Sequence, residues 1–145
     1  MPSPNTFAQD FAKGGARGDT QGSAPILVIE DEPAVRAFLC RALEVHGYRV
    51  VPAASGTQGL RLLEAEKYLG VISDIRMPGG VDGADVHHWI CNHRPEMRTR
   101  IIFITGDTAS EETFSMLKSS GAPCVEKPFR AGQLTRIVEQ TFGKP

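Results

Sequence analysis

Cysteine is scarce. Only Cys40, Cys91 and Cys124 occur in 145 residues, widely spaced and without a CxxC pair. Neither a disulfide framework nor a zinc or thioredoxin-type motif is indicated, and scattered thiols fit a reducing, cytoplasmic compartment. No charge of one sign dominates either: 16 basic residues face 17 acidic ones, for a formal net charge of -1. Broad attraction to nucleic acid or anionic membrane is therefore not expected. No apolar run approaches the roughly 18 residues of a membrane span. The first 24 residues hold no apolar block behind a basic start, so no secretory signal is expected. What remains is ordinary for a globular chain. Apolar residues make up 41% and charged residues 23%, enough to bury one core. The length suits one domain and a tail.

The tail is residues 1–24, rich in Gly, Ser, Thr, Pro and Ala and read as flexible. Phe7 and Phe11, beside Ala8 and Ala12, suggest at most one helical turn there. From Pro25 the pattern changes, and residues 25–143 read as the folded domain. Ile26 to Ile29 is an unbroken apolar run. After Pro33, which suits a first helical turn, Val35, Phe38, Leu39, Ala42 and Leu43 recur at helical spacing. Gly47 suits the stop. Further strands are predicted at 49–51, 70–73, 101–104 and 124–125. Helices are predicted after the cap Ser55 and over 83–93, 109–119 and 133–142. Strand and helix alternate five times, which implies a parallel sheet covered by helices on both faces, an α/β fold. Strands one, three and four are apolar throughout, as central parallel strands are. Strand order 2-1-3-4-5 is the common solution.

In such a sheet, ligands bind beyond the carboxyl ends of the strands. Glu30, Asp31 and Glu32 follow the first strand, Asp74 the third, Thr105 ends the fourth, and Glu126, Lys127 and Pro128 end the fifth. Each alone has a plain structural explanation. Asp31 would cap the helix opened by Pro33, Asp74 would shape the turn before Met77 and Pro78, Thr105 would merely end a strand, and Lys127 would be a solvated charge. All four at one sheet edge point to chemistry. Clustered carboxylates repel when ionised, and a hard cation that keeps its waters, Mg²⁺, relieves this. Beside a lysine and a hydroxyl, such a centre would neutralise a transferring phosphoryl group while Asp74 attacks phosphorus in line.

Four motifs, ILVIEDEP, VISDIRMPG, IIFITGD and VEKPF, occur in order over about residues 25–142. Together they resemble the response-regulator receiver domain, the CheY-like (βα)5 fold. The resemblance implies a two-component signalling protein, a phosphoacceptor and not an enzyme in the ordinary sense. It implies Asp74 as phosphoacceptor, Glu30 and Asp31 as the acidic pair of the Mg²⁺ site, with direct ligation assigned to Asp31 first, and the Arg76 backbone carbonyl as a further ligand. Thr105 matches the switch hydroxyl, Lys127 the phosphate-pairing lysine, and the Lys127-Pro128 bond is implied to be cis. Expected partners are a sensor histidine kinase or a histidine phosphotransfer protein, then a downstream partner protein. A monomer or weak dimer is expected, with no nucleic acid and no membrane, since too few residues flank the domain to encode an output domain.

The chain departs from the family pattern. Three residues before Lys127 the family usually has Phe or Tyr, an aromatic ring that moves inward with the threonine; here stands Cys124, which puts the usual coupling in doubt. MPGGVDG is one residue longer than the common loop. Arg76 and Asp107 occupy variable positions beside the site and are candidates to tune phosphoryl lifetime. Other residues lack a chemical pattern. His46, His87, His88 and His93 show no metal spacing, Trp89 reads as packing, Cys124 as a buried inert thiol, and Gly79, Gly80 and Gly83 as a turn without the GK[ST] of a Walker loop. Two other readings stand against the receiver. A phosphorylation-independent interaction module has Cys124 as its support. A flavodoxin-like electron carrier would place flavin phosphate against Glu30, Asp31 and Glu32, which would repel it.

Overall fold

The computed structural model describes residues 24–106 and 110–145. The expected tail, apart from Ala24, and Asp107 lie outside the described residues. The apolar quartet Ile26–Ile29 forms β1, which pairs in parallel with β2 (Val50–Ala53) on one side and β3 (Gly70–Asp74) on the other. Beyond β3 lie β4 (Ile101–Thr105) and β5 (Cys124–Glu126), giving five parallel strands in the expected order 2-1-3-4-5. Between and after them run α1 (Pro33–Val45), α2 (Gly56–Ala65), α3 (Gly83–His93), α4 (Glu111–Ser120) and α5 (Ala131–Phe142), with a 3-10 turn at Pro95–Met97.

Alternation along each strand divides the core into two layers. Ile26 and Val28 of β1, with Ile72, Ile102 and Ile104, pack against Leu39 and Leu43 of α1 and Leu134, Val138 and Phe142 of α5. Leu27 and Ile29, with Val71, Ile101 and Phe103, face Leu63 of α2 and Val86 and Ile90 of α3. Every residue of β1, β3 and β4 is buried, which explains why they read as continuous apolar runs and not as alternating ones. Each buried Val, Leu, Ile or Phe among them contributes about 1.5–3 kcal/mol by leaving water. At the open end of α1, His46 pairs with Glu139 of α5, and Tyr48 donates to the Gly143 carbonyl at 2.6 Å.

Boundaries moved where backbone chemistry intervened. The second strand runs on through Pro52, two residues beyond the expected 49–51. It lies at the sheet edge, where a residue without an N–H is tolerated. The fourth helix runs from Glu111, with Ser110 as its N-cap, whose hydroxyl accepts from the Thr113 amide; the expected start at 109 lies outside the described residues. It ends at Gly121, whose φ of +68° closes the helix in the left-handed region. Helix α5 begins two residues earlier than expected, at Ala131.

Candidate functional site

The register of the sheet sets the site. Ile29 lies beside Ser73, Asp74 beside Ile104, and Thr105 beside Glu126. The residues that end or follow these strands therefore share one edge. The amide of Lys127 donates to the Thr105 carbonyl at 2.8 Å, which holds the end of β5 against the end of β4. The Lys127-Pro128 peptide is cis. On the α3 side, the close approach of Gly83 holds the loop after β3: a Cβ there would lie 2.5 Å from the Asp74 carbonyl oxygen and 2.8 Å from the Ile75 Cα. The Gly83 amide donates to the Ile75 carbonyl at 2.8 Å. A capping box between Asp82 and Asp85 starts the helix at that point.

Into this edge project Glu30, Asp31 and Asp74, with one carboxylate oxygen of each within 4.8 Å of the others. Glu30 is fully buried and Asp74 nearly so. Lys127 spans the cluster, its Nζ 2.8 Å from Asp74 Oδ2, 3.2 Å from Glu32 Oε1 and 3.3 Å from Glu30 Oε1. Burial pushes the Glu30 carboxyl up to about 7, aided by the Asp74 charge and opposed by the Glu32 amide and by Lys127. For Lys127 burial acts downward, but its hydrogen bond to Asp74 and the surrounding carboxylates outweigh this and raise it. It remains a cation.

The donor set fits a hard divalent cation. Three carboxylates converge, two of them largely dry, and Glu30 Oε1 has no hydrogen-bond partner among the described residues although Lys127 lies within ion-pairing distance. Oxygen donors at an edge open to water suit Mg²⁺. Asp31 does not cap α1; the N-cap is Glu32, which makes no side-chain capping bond. Thr105 is buried at the end of β4. Cys124 is half-buried and packs against the core on the α2–α3 side of the sheet, as do Met116, Leu117 and Ala122. Burial, then Glu126 and Asp74, push its thiol up to about 11, so it is protonated at neutral pH.

Three side chains at this edge carry contacts that sequence reasoning missed. Glu32 is the third carboxylate on Lys127, and its amide donates to Glu30 Oε2 at 3.0 Å. Arg36, one turn into α1, donates to the Glu30 carbonyl at 2.9 Å and the Asp31 carbonyl at 3.4 Å, clamping the acidic loop. Arg76 is expected to act through its backbone carbonyl and through its charge beside the site; its side chain in fact reaches across to α4, 2.9 Å from Ser110 Oγ and 3.3 Å from Glu112 Oε1. The spacing EDEPAVR holds a signal for Arg36, since a loop ending in a helix brings a residue of the first turn back over the loop. Of the residues set aside, His87 packs against Phe103 at 6.0 Å and Trp89 stacks on His93 at 4.6 Å, so both serve packing.

The sheet order, the helices on both faces and an acidic pocket crossed by a lysine at the carboxyl edge define the CheY-like class of α/β domains. Residues 26–139 match the response regulator receiver domain, and the chain belongs to that family. It is 35% identical over 133 residues to the sensor kinase CckA of Brucella abortus, covering 87% of this chain and 13% of that protein. The chain spans about half or less of the length of the curated relatives it matches, among them the transcriptional regulatory protein TcrA of Mycobacterium tuberculosis. Among solved structures, the response regulator TrrA of Thermotoga maritima, in complex with Mg²⁺-BeF, is 32% identical with a TM-score of 0.70, over 81% of this chain and 98% of that one. The receiver domain of a sensor histidine kinase from Pseudomonas aeruginosa, with a magnesium ion coordinated in its active-site cleft, is 28% identical with a TM-score of 0.74, over 84% and 99%. No helix among the described residues is long and apolar enough to cross a membrane.

Proposed function

We propose that residues 25–143 form a receiver unit that accepts a phosphoryl group onto an Oδ oxygen of Asp74. The donor is a phosphohistidine of a sensor histidine kinase or a histidine phosphotransfer protein. The product acts on a downstream partner protein or passes the phosphate along a relay, in the cytoplasm, as a monomer or weak dimer. The observation that carries this reading is the 2.8 Å contact of Lys127 Nζ with Asp74 Oδ2 inside a pocket that Glu30 and Asp31 complete.

In the transfer, Asp74 attacks phosphorus as the P–N bond to the donor imidazole breaks. The imidazole, protonated on its other nitrogen, leaves neutral. Glu30, Asp31 and Asp74, with the Arg76 backbone carbonyl, would hold Mg²⁺, which when bound neutralises charge on the phosphoryl oxygens. Lys127 follows the phosphoryl group and takes up part of the added charge, about -1.5 to -2. The Thr105 hydroxyl donates to a phosphoryl oxygen. Its movement, together with the side chain at 124, shifts the balance of conformations. Water later attacks phosphorus, releasing inorganic phosphate and restoring the Asp74 carboxylate.

The test is transfer from labelled, phosphorylated histidine kinase cores. Label is expected on the chain in Mg²⁺ and absent from Asp74→Asn. Equal labelling of Asp74→Asn would place the acceptor elsewhere and overturn the assignment.

A further inference from the structure

Cys124 is too small to relay a movement of Thr105 by filling and vacating space as a ring does. The structure has another physical link between the acceptor loop and the helix that follows β4. Arg76 stands two residues after Asp74, and its guanidinium bonds the N-cap of α4, Ser110, at 2.9 Å and the first-turn carboxylate of Glu112 at 3.3 Å. The link spans 34 and 36 residues of sequence and joins two elements that otherwise meet across a groove of about 540 Å³ lined by Ile75, Met77, Thr113 and Met116. Glu112 is almost fully exposed and Arg76 is about half exposed. A bond between such groups is weak and readily exchanged.

We propose that the Arg76 side chain is a positioning latch for α4, closed on Ser110 and Glu112 while Asp74 is unmodified and opened by phosphorylation. This rests on Asp74 being the phosphoacceptor. Arg76 lies only two residues past the end of β3, a separation of at most about 7 Å along the chain, which an arginine side chain covers. A phosphoryl group at Asp74 offers several charged oxygens to a guanidinium, and bidentate phosphate pairing is stronger than pairing with one exposed carboxylate oxygen. The guanidinium moves toward the phosphoryl group, Glu112 and Ser110 are released, and the first turn of α4 loosens over the groove. The signal then reaches α4 through a charge exchange and does not need an aromatic ring at 124.

The experiment is amide hydrogen exchange over residues 110–120, read before and after treatment with acetyl phosphate and Mg²⁺, with intact mass reporting phosphoryl uptake. In the unmodified wild type, α4 is expected to exchange slowly and to speed up about fivefold or more on phosphorylation. Glu112→Lys repels Arg76. It should still take up one phosphoryl group, but its α4 should already exchange fast and change less than twofold on phosphorylation. Glu111→Lys, in the same turn, controls for the cost of a cation at a helix N-terminus and should keep most of the wild-type response. The charge exchange Arg76→Glu with Glu112→Lys should restore slow exchange in the unmodified protein without restoring the release. A Glu112→Lys variant that matches Glu111→Lys before modification, or that keeps the full response after it, overturns the latch. Absence of phosphoryl uptake by the wild type, from acetyl phosphate and from phosphorylated kinase cores alike, would instead overturn the acceptor assignment, and the comparison of unmodified variants would still decide whether the bridge holds α4.

Discussion

Lys127 is the residue on which the pocket turns. Three carboxylates lie within 3.3 Å of its Nζ, so it offsets the repulsion that would otherwise oppose gathering the buried carboxylates of Glu30 and Asp74. Arg36 acts one step further out, through the carbonyls of Glu30 and Asp31. Groups that orient metal ligands typically account for about 10–100-fold in affinity. Arg36→Ala is thus expected to weaken Mg²⁺ binding by about tenfold in isothermal titration calorimetry; unchanged affinity would reduce the contact to loop packing. Cys124 gives a second test. With its thiol pushed up to about 11, alkylation should be slow at pH 8 and rise about tenfold per pH unit up to about 11. In the unfolded chain the thiol ionises first, near 9, so the stability it contributes is present below 9 and is lost as pH rises from 9 toward 11. Fast alkylation of native Cys124 at pH 8 would contradict this. Asp74 and Thr105 were legible in the sequence because each ends an apolar strand, and Lys127 because it lies in the motif VEKPF that follows the short fifth strand. The contacts of Glu32 and of the Arg76 side chain were not, because they depend on how a loop folds back and on a crossing to another helix; for Arg36 only the spacing EDEPAVR holds a signal.

Among the elements, the close seat of α3 on the end of β3 is the least forgiving. Gly83 leaves no room for a Cβ against the backbone of Asp74 and Ile75. Gly83→Ala must displace one of the two elements, and overpacking of this kind costs about 1–3 kcal/mol. The expected result is a lower urea midpoint with little change in slope, together with slower phosphoryl uptake, since the displaced backbone carries the acceptor. An unchanged midpoint would show that the loop yields freely. Helix α2 provides a milder comparison: Ser55 accepts from the Gln58 amide at 3.1 Å, and Ser55→Ala is expected to cost about 1 kcal/mol with uptake unaffected. The strands were legible because apolar runs of four or five residues have few other uses. The helix ends were less so. Pro52 in a strand depends on edge position and the first turn of α4 on the Ser110 cap, neither of which hydrophobic period reports.

For the molecule as a whole, folding and site assembly are one event. The carboxylates are adjacent only because β1 and β3 pair in parallel and their ends fall in register with those of β4 and β5. A ligand that binds only this arrangement stabilises it, by about 2.7 kcal/mol at a hundred times its dissociation constant. Mg²⁺ should therefore raise the thermal midpoint of the wild type in a concentration-dependent way, and by clearly less in Asp31→Asn. An equal rise in both would mean binding elsewhere. The order 2-1-3-4-5 was legible from the fivefold alternation of strand and helix. The sequence motifs then placed the site on that frame, and what they left open is how the site communicates, because Cys124 breaks the pattern at the position that usually answers that question.

The central claim is that Asp74 takes a phosphoryl group in this pocket. It is tested most directly by the intact mass of the protein after incubation with acetyl phosphate and Mg²⁺. The expected result is one added phosphoryl group on the wild type and none on Asp74→Asn or in the presence of EDTA. An addition that survives both controls, or no addition from acetyl phosphate and from phosphorylated kinases alike, would contradict it.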